Sequence, residues 1–66
     1  MRLTVNGQGL DADRELSVEA LVESLTSLRR GVAVAVNGTV VPRSTWSTVP
    51  LSDGDAVEVL TAAQGG

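Results

Sequence analysis

The residues of this chain that could take part in chemistry are few, and the most telling of them sit at its end. The sequence closes Thr61-Ala62-Ala63-Gln64-Gly65-Gly66. Glycine carries no side chain, so a Gly-Gly end is the slimmest and most pliable terminus a protein can present. It suits insertion into a narrow channel of another protein, where the Gly66 carboxylate can be acted upon. That group is ionised at neutral pH and is a poor electrophile, because its charge repels nucleophiles and it has no good leaving group. Conversion to an acyl-adenylate removes both obstacles. A sulfur donor can then attack and leave a terminal thiocarboxylate, a soft nucleophile on a protein handle. Residues 62–66, fully extended at about 3.3–3.6 Å each, would reach about 17 Å beyond the body of the chain. Taken alone the dipeptide is a weak signal, since Gly-Gly ends also arise as frayed termini. Its position directly after a strand-like run gives it weight.

Other chemistry has little to stand on. The sequence contains no cysteine and no histidine. The usual nucleophile–base pairs therefore cannot be assembled, and a structural zinc site lacks its ligands. With no thiol, sulfur could be carried only on the terminus. Two carboxylate pairs, Asp11/Asp13 and Asp53/Asp55, could be read as metal or acid–base pairs. The second pair flanks Gly54 in a turn-forming run, and the first would share one exposed strand face. No intrinsic catalysis, bound metal or bound cofactor is expected.

Composition narrows the partners. The net charge is −3, with acidic residues scattered along the chain, which disfavours binding to phosphates through Lys and Arg. Trp46 is the only aromatic residue, too few for a base-stacking platform. The longest apolar run, Val32 to Val36, is far short of a membrane span. No signal-peptide pattern opens the chain, so the expectation is a soluble cytoplasmic protein bound to neither nucleic acid nor membrane. The absence of lysine rules out modification on a lysine side chain of this protein.

The elements that must position the tail follow from patterning. Arg2-Leu3-Thr4-Val5 alternates as a half-buried strand does. Asn6-Gly7 is a tight-turn signal, and Leu10 to Asp13 would form the return strand. Ser17 is placed to cap a helix over 18–29, with Leu16 and Leu21 at the spacing of a hydrophobic staple. Val18, Leu21, Val22, Leu25 and Leu28 form its apolar stripe. Arg29-Arg30 would complement the dipole at its end, and Gly31 would stop it in a left-handed conformation. Val32 to Val36 is a strand, Asn37-Gly38 a second hairpin turn, and Thr39-Val40-Val41 the return, halted by Pro42. Residues 43–51 read as irregular, with Trp46 as a buried plug. Ser52-Asp53-Gly54-Asp55 is a turn, and Ala56 to Thr61 the last strand. The expected fold class is α+β: a mixed sheet of four to five strands with one helix on one face. Residues 1–61 would be the domain, and 62–66 a flexible tail.

This order, with its terminal Gly65-Gly66, resembles the ubiquitin-like β-grasp sulfur carriers. The set Val36-Asn37-Gly38, Val41-Pro42-Arg43 with Trp46, Ser52-Asp53-Gly54-Asp55 and the final glycines looks like the ThiS family, which serves thiamine-thiazole biosynthesis. The likeness spans the whole chain. It departs at Ala62-Ala63-Gln64, where relatives often carry an apolar residue before the glycines. The resemblance implies that an E1-like adenylyltransferase activates Gly66 with ATP and magnesium. A cysteine desulfurase relay would then supply sulfur, and thiazole synthase would consume the thiocarboxylate. Gly66 would be the modified residue, with Gly65 and Gln64 threaded into the partner's active site. The resemblance further implies an open sheet face opposite the helix, where Leu60, Glu58, Ala33 and Ala35 would form a docking patch alongside Arg2 and Thr4. The alternative for that face is an ordinary surface with one exposed leucine.

Rival readings share the tail. The small subunit of molybdopterin synthase has the same activation chemistry but is usually longer. A ubiquitin-like protein modifier would form isopeptide bonds, though without lysine it could not build chains on itself. An acyl carrier would need its serine at a helix start, whereas Ser24 falls inside the only helix. A regulatory β-grasp module would need no Gly-Gly end.

Overall fold

Two Asn-Gly pairs set the registers of the sheet. The structure, a computed structural model, describes residues 1–12, 15–27 and 30–61. Its elements are β1 (Arg2–Val5), β2 (Gln8–Asp11), α1 (Val18–Leu25), β3 (Val32–Val36), β4 (Thr39–Val40), a 3-10 helix (Arg43–Thr48) and β5 (Ala56–Thr61). Asn6 and Gly7 have φ of 52° and 83°, and Asn37 and Gly38 have 52° and 85°. Positive φ at both central residues gives a two-residue turn whose twist matches that of the strands. Val5 therefore faces Gln8, and Val36 faces Thr39. This is why β2 begins at Gln8 rather than at Leu10 as the hydrophobic pattern predicts. The pairing runs on past β2: the Met1 ammonium donates to the Ala12 carbonyl at 2.6 Å, and the Ala12 N–H to Met1 at 2.8 Å.

The five strands lie in the order β2-β1-β5-β3-β4. β5 is last in the chain but central in the sheet, parallel to β1 and antiparallel to β3. The alternation along β3 and β5 turns Val34, Val57 and Val59 inward, where they join Leu3 and the helix residues Val18, Leu21 and Val22. The expected α+β architecture, one helix packed on a mixed sheet, is the one observed.

The helix starts where expected. The Ser17 hydroxyl accepts from the Ala20 N–H at 3.1 Å, satisfying one free donor of the first turn. Its end differs from the reading over 18–29. Thr26 is already extended, at φ −152° and ψ 150°, with its N–H donating to the Val22 carbonyl at 3.0 Å. Thr26 and Ser27 are weaker helix formers than the residues before them, and a β-branched side chain crowds the preceding turn. The stripe is shortened as a result. Leu25, expected in the core, is 47% exposed, and Leu28 and Arg29 lie outside the described residues. Arg30 falls beyond the helix rather than closing it. Gly31 has the expected positive φ of 71°, but it leads into β3 and does not cap the helix.

The segment expected to be irregular contains the 3-10 helix, and it closes the bottom of the core. Trp46 is buried as predicted, and its indole N–H donates to the Val41 carbonyl at 2.9 Å. The Arg43 guanidinium sits 5.3 Å from the ring centroid, a cation–π distance. Leu51, absent from the expected core, is also buried. Its N–H donates to Leu16 at 2.8 Å, and the Val18 N–H donates to Val49 at 2.9 Å, which ties this loop to the helix start.

The two leucines of the helix stripe should therefore behave differently. Leu21→Ala empties a buried site and should lower unfolding free energy by about 2–5 kcal/mol. Leu25→Ala, at the exposed last position, should cost less than about 1 kcal/mol. Urea titrations of the two variants read this directly, and equal losses would contradict the early helix end.

Candidate functional site

β5 is the element that presents the tail. β3 lies beside it from Val57 to Thr61 and β1 at Ala56 and Val57, and Thr61 is its last residue. Gln64, Gly65 and Gly66, the residues expected to enter a partner, lie with Ala62 and Ala63 outside the described residues.

Side-chain amides complete the hold on β5. Asn37 accepts the Ala56 N–H on its Oδ1 at 2.9 Å and donates through Nδ2 to Asp55 Oδ1, also at 2.9 Å. At the other end, Asn6 Oδ1 accepts the Val59 N–H at 2.8 Å, and Asn6 Nδ2 donates to the Val59 carbonyl at 3.1 Å. In sequence these asparagines read only as turn residues. Each does both jobs, and nothing in the local pattern marks the second one, because it depends on where β5 lies.

The sheet face opposite the helix brings together the residues expected to dock a partner. Leu60 stands directly across from Ala33, and Glu58 from Ala35. Directly opposed residues share a face. Leu60 is 66% exposed, and Ala33 and Glu58 are exposed beside it, with Ala35 half-buried, while the exposed Thr4 and Arg2 lie toward the start of β5, Thr4 in register with Ala56. Val40, which the sequence reading did not place here, stands opposite Ala35 and is 70% exposed. The two-residue Asn37-Gly38 turn was the signal for it, since pairing Val36 with Thr39 forces Ala35 onto Val40. The result is a shallow apolar strip with small alanines between two larger side chains and Glu58 beside them.

The carboxylates are committed elsewhere. Asp55 Oδ2 accepts the Ser52 N–H at 2.8 Å, its Oδ1 takes Asn37, and Asp53 Oδ1 accepts the Arg2 N–H at 2.6 Å. The pair thus shapes the turn before β5 and fastens it to β1. Asp11 meets the Arg2 guanidinium at 3.3 Å with both side chains largely in solvent, an arrangement that contributes little to stability. Asp13 lies outside the described residues. Among the described residues no group of three potential ligands could hold a metal, and no helix is long and apolar enough to cross a membrane.

Known proteins share this arrangement. The family model described as the ThiS family matches residues 3–66. A protein of Paramagnetospirillum magneticum named thiazole synthase is 36% identical over 66 residues, and the chain spans 20% of that protein's length. Sulfur carrier protein ThiS of Escherichia coli is 30% identical over 66 residues, which cover 100% of both proteins. The crystal structure of thiamine biosynthesis protein ThiS from Geobacter metallireducens matches with a TM-score of 0.84 and 38% identity over the full length of both chains. The fold is thereby the ubiquitin-like β-grasp. With the match running the length of the chain in sequence and in structure, this protein belongs to the ThiS family.

Proposed function

We propose that this chain is the sulfur carrier of a thiamine-thiazole pathway and that the Gly66 carboxylate is its working group. The observation that carries this reading is the family match, which extends to residue 66 and so includes the Gly65-Gly66 end. In this scheme an E1-like adenylyltransferase uses ATP and magnesium to join AMP to Gly66, with pyrophosphate leaving. A sulfur donor fed by a cysteine desulfurase then displaces AMP, and the resulting thiocarboxylate passes its sulfur to thiazole synthase. The protein acts as a co-substrate of other enzymes rather than as an enzyme. The likeness to a stretch of a protein named thiazole synthase supports that enzyme as the acceptor, because a carrier and its acceptor gain in effective concentration when they share one chain.

Body and tail have separate tasks in this reading. The β-grasp body docks, and residues 62–66 reach the chemistry. The open strip of Leu60, Ala33, Ala35 and Val40, with Glu58 at its side, is the proposed docking surface for the activating enzyme. A flat apolar strip made mostly of small side chains lets a partner approach the sheet closely. Gly65 adds clearance near the reacting carbon, and Gln64 lies in the same channel.

Intact-mass spectrometry of the protein from growing cells should show a fraction heavier by the difference between sulfur and oxygen, localised to Gly66. Deletion of Gly66 should abolish both that species and thiazole formation, and a deletion variant that still supports thiazole formation would refute the carrier role. The gene should restore growth of a thiamine auxotroph lacking its own carrier and leave a molybdenum-cofactor auxotroph unrescued. The reverse pattern would favour a molybdopterin synthase subunit. Leu60→Glu should leave unfolding free energy within about 0.5 kcal/mol, as expected of an exposed site. It should raise the KM of the activating enzyme for the carrier about tenfold, the loss expected when a central contact is replaced by a charge. An unchanged KM would remove Leu60 from the docking surface.

A further inference from the structure

Next to the exit of the tail, a strand is continued by a side chain instead of by backbone. β1 runs parallel to β5, with the Thr4 N–H donating to Asp55 at 3.0 Å and the Asn6 N–H to Val57 at 2.9 Å. The next rung should fall at Val59. By then the chain has turned away through Asn6-Gly7 into β2. The Asn6 side chain supplies the missing rung, accepting from the Val59 N–H and donating to its carbonyl. A carboxamide can do this because it carries the same donor and acceptor as a peptide group. Among the described residues, β5 has no strand partner on this side after Val59. Val59 is two residues short of Thr61, so Asn6 holds β5 close to the end of the strand.

Turn geometry alone does not call for asparagine here. Glycine meets the positive φ of position 6 at least as well, and aspartate tolerates it too. Only asparagine offers both a donor and an acceptor to Val59. We infer that Asn6 is a positioning residue for the carrier reaction: its amide fixes the last residues of β5 and so the direction from which Gly66 reaches the activating enzyme. This rests on the sulfur-carrier reading above. Asn37 provides an internal control, because it holds β5 at Ala56, the end remote from the tail, from an equivalent turn.

The test compares Asn6→Gly with Asn37→Gly in the full chain. Both keep a turn that accepts positive φ, and each removes one amide clamp. Amide hydrogen exchange and ATP–pyrophosphate exchange with the activating enzyme are measured on each. For Asn6→Gly, exchange at the Val59 amide should rise about tenfold, the effect of losing the acceptor of that N–H near a strand end. Its kcat for adenylation should fall several-fold while KM holds, because the docking face is untouched. Asn37→Gly should loosen Ala56 and leave kcat unchanged. If Asn6→Gly proves too unstable to assay, Asn6→Asp takes its place. It keeps the acceptor for the Val59 N–H, sets a carboxylate oxygen against the Val59 carbonyl, and should give the same fall in kcat. Matching kinetics for the position 6 and position 37 variants, or unmoved exchange at the Val59 amide, would overturn the inference. A wild-type chain that is not adenylated would instead overturn the sulfur-carrier reading itself.

Discussion

A strand in the middle of a sheet needs hydrogen-bonding partners along both edges, and this fold gives that place to its last strand. β3 runs beside β5 from Val57 to Thr61. β1 is in register with it for only two residues, Thr4 and Val5. Part of the shortfall is met by the two turn asparagines, on Ala56 and Val59, while Asp53 and Asp55 brace the turn that leads into β5. Unpaired backbone groups are costly where water is excluded. In a domain this small the margin of stability is thin, and its apolar core of Val and Leu side chains depends on β5 staying in place.

The same arrangement separates the two surfaces a carrier needs. Strand alternation sends Val57 and Val59 into the core and Glu58 and Leu60 onto the open face. One short strand thus contributes to the core and to the proposed docking strip, and its end leads directly into the tail. A partner that grips the open face is automatically close to Thr61.

Much of this was legible in the sequence, for reasons that can be named. The Asn-Gly turns, the Ser17 cap and the alternation in β3 and β5 are local signals. Each depends on a few neighbouring residues, and each was found. Leu25 was misread because periodicity extends through Leu28, whereas the helix stops when Thr26 becomes extended. The burial of Val49 and Leu51, beyond the 3-10 helix, was not legible. Their burial is decided by contact with the helix start, which is distant in sequence. Val40 could have been placed by counting outward from the second turn. The Asn6 clamp could not, since its partner Val59 is 53 positions away.

The central place of β5 also bears on how the chain is made. On the ribosome, β1 and β2 emerge first as one hairpin, then the helix, then β3 and β4 as another. Neither hairpin pairs with the other; β5 alone bridges them. Until residues 56–61 leave the exit tunnel the sheet has no middle, and contacts between such distant segments form late. A chain cut short before this point cannot close its core. The body that partners would grip in the proposed scheme therefore depends on residues 56–61 being in place.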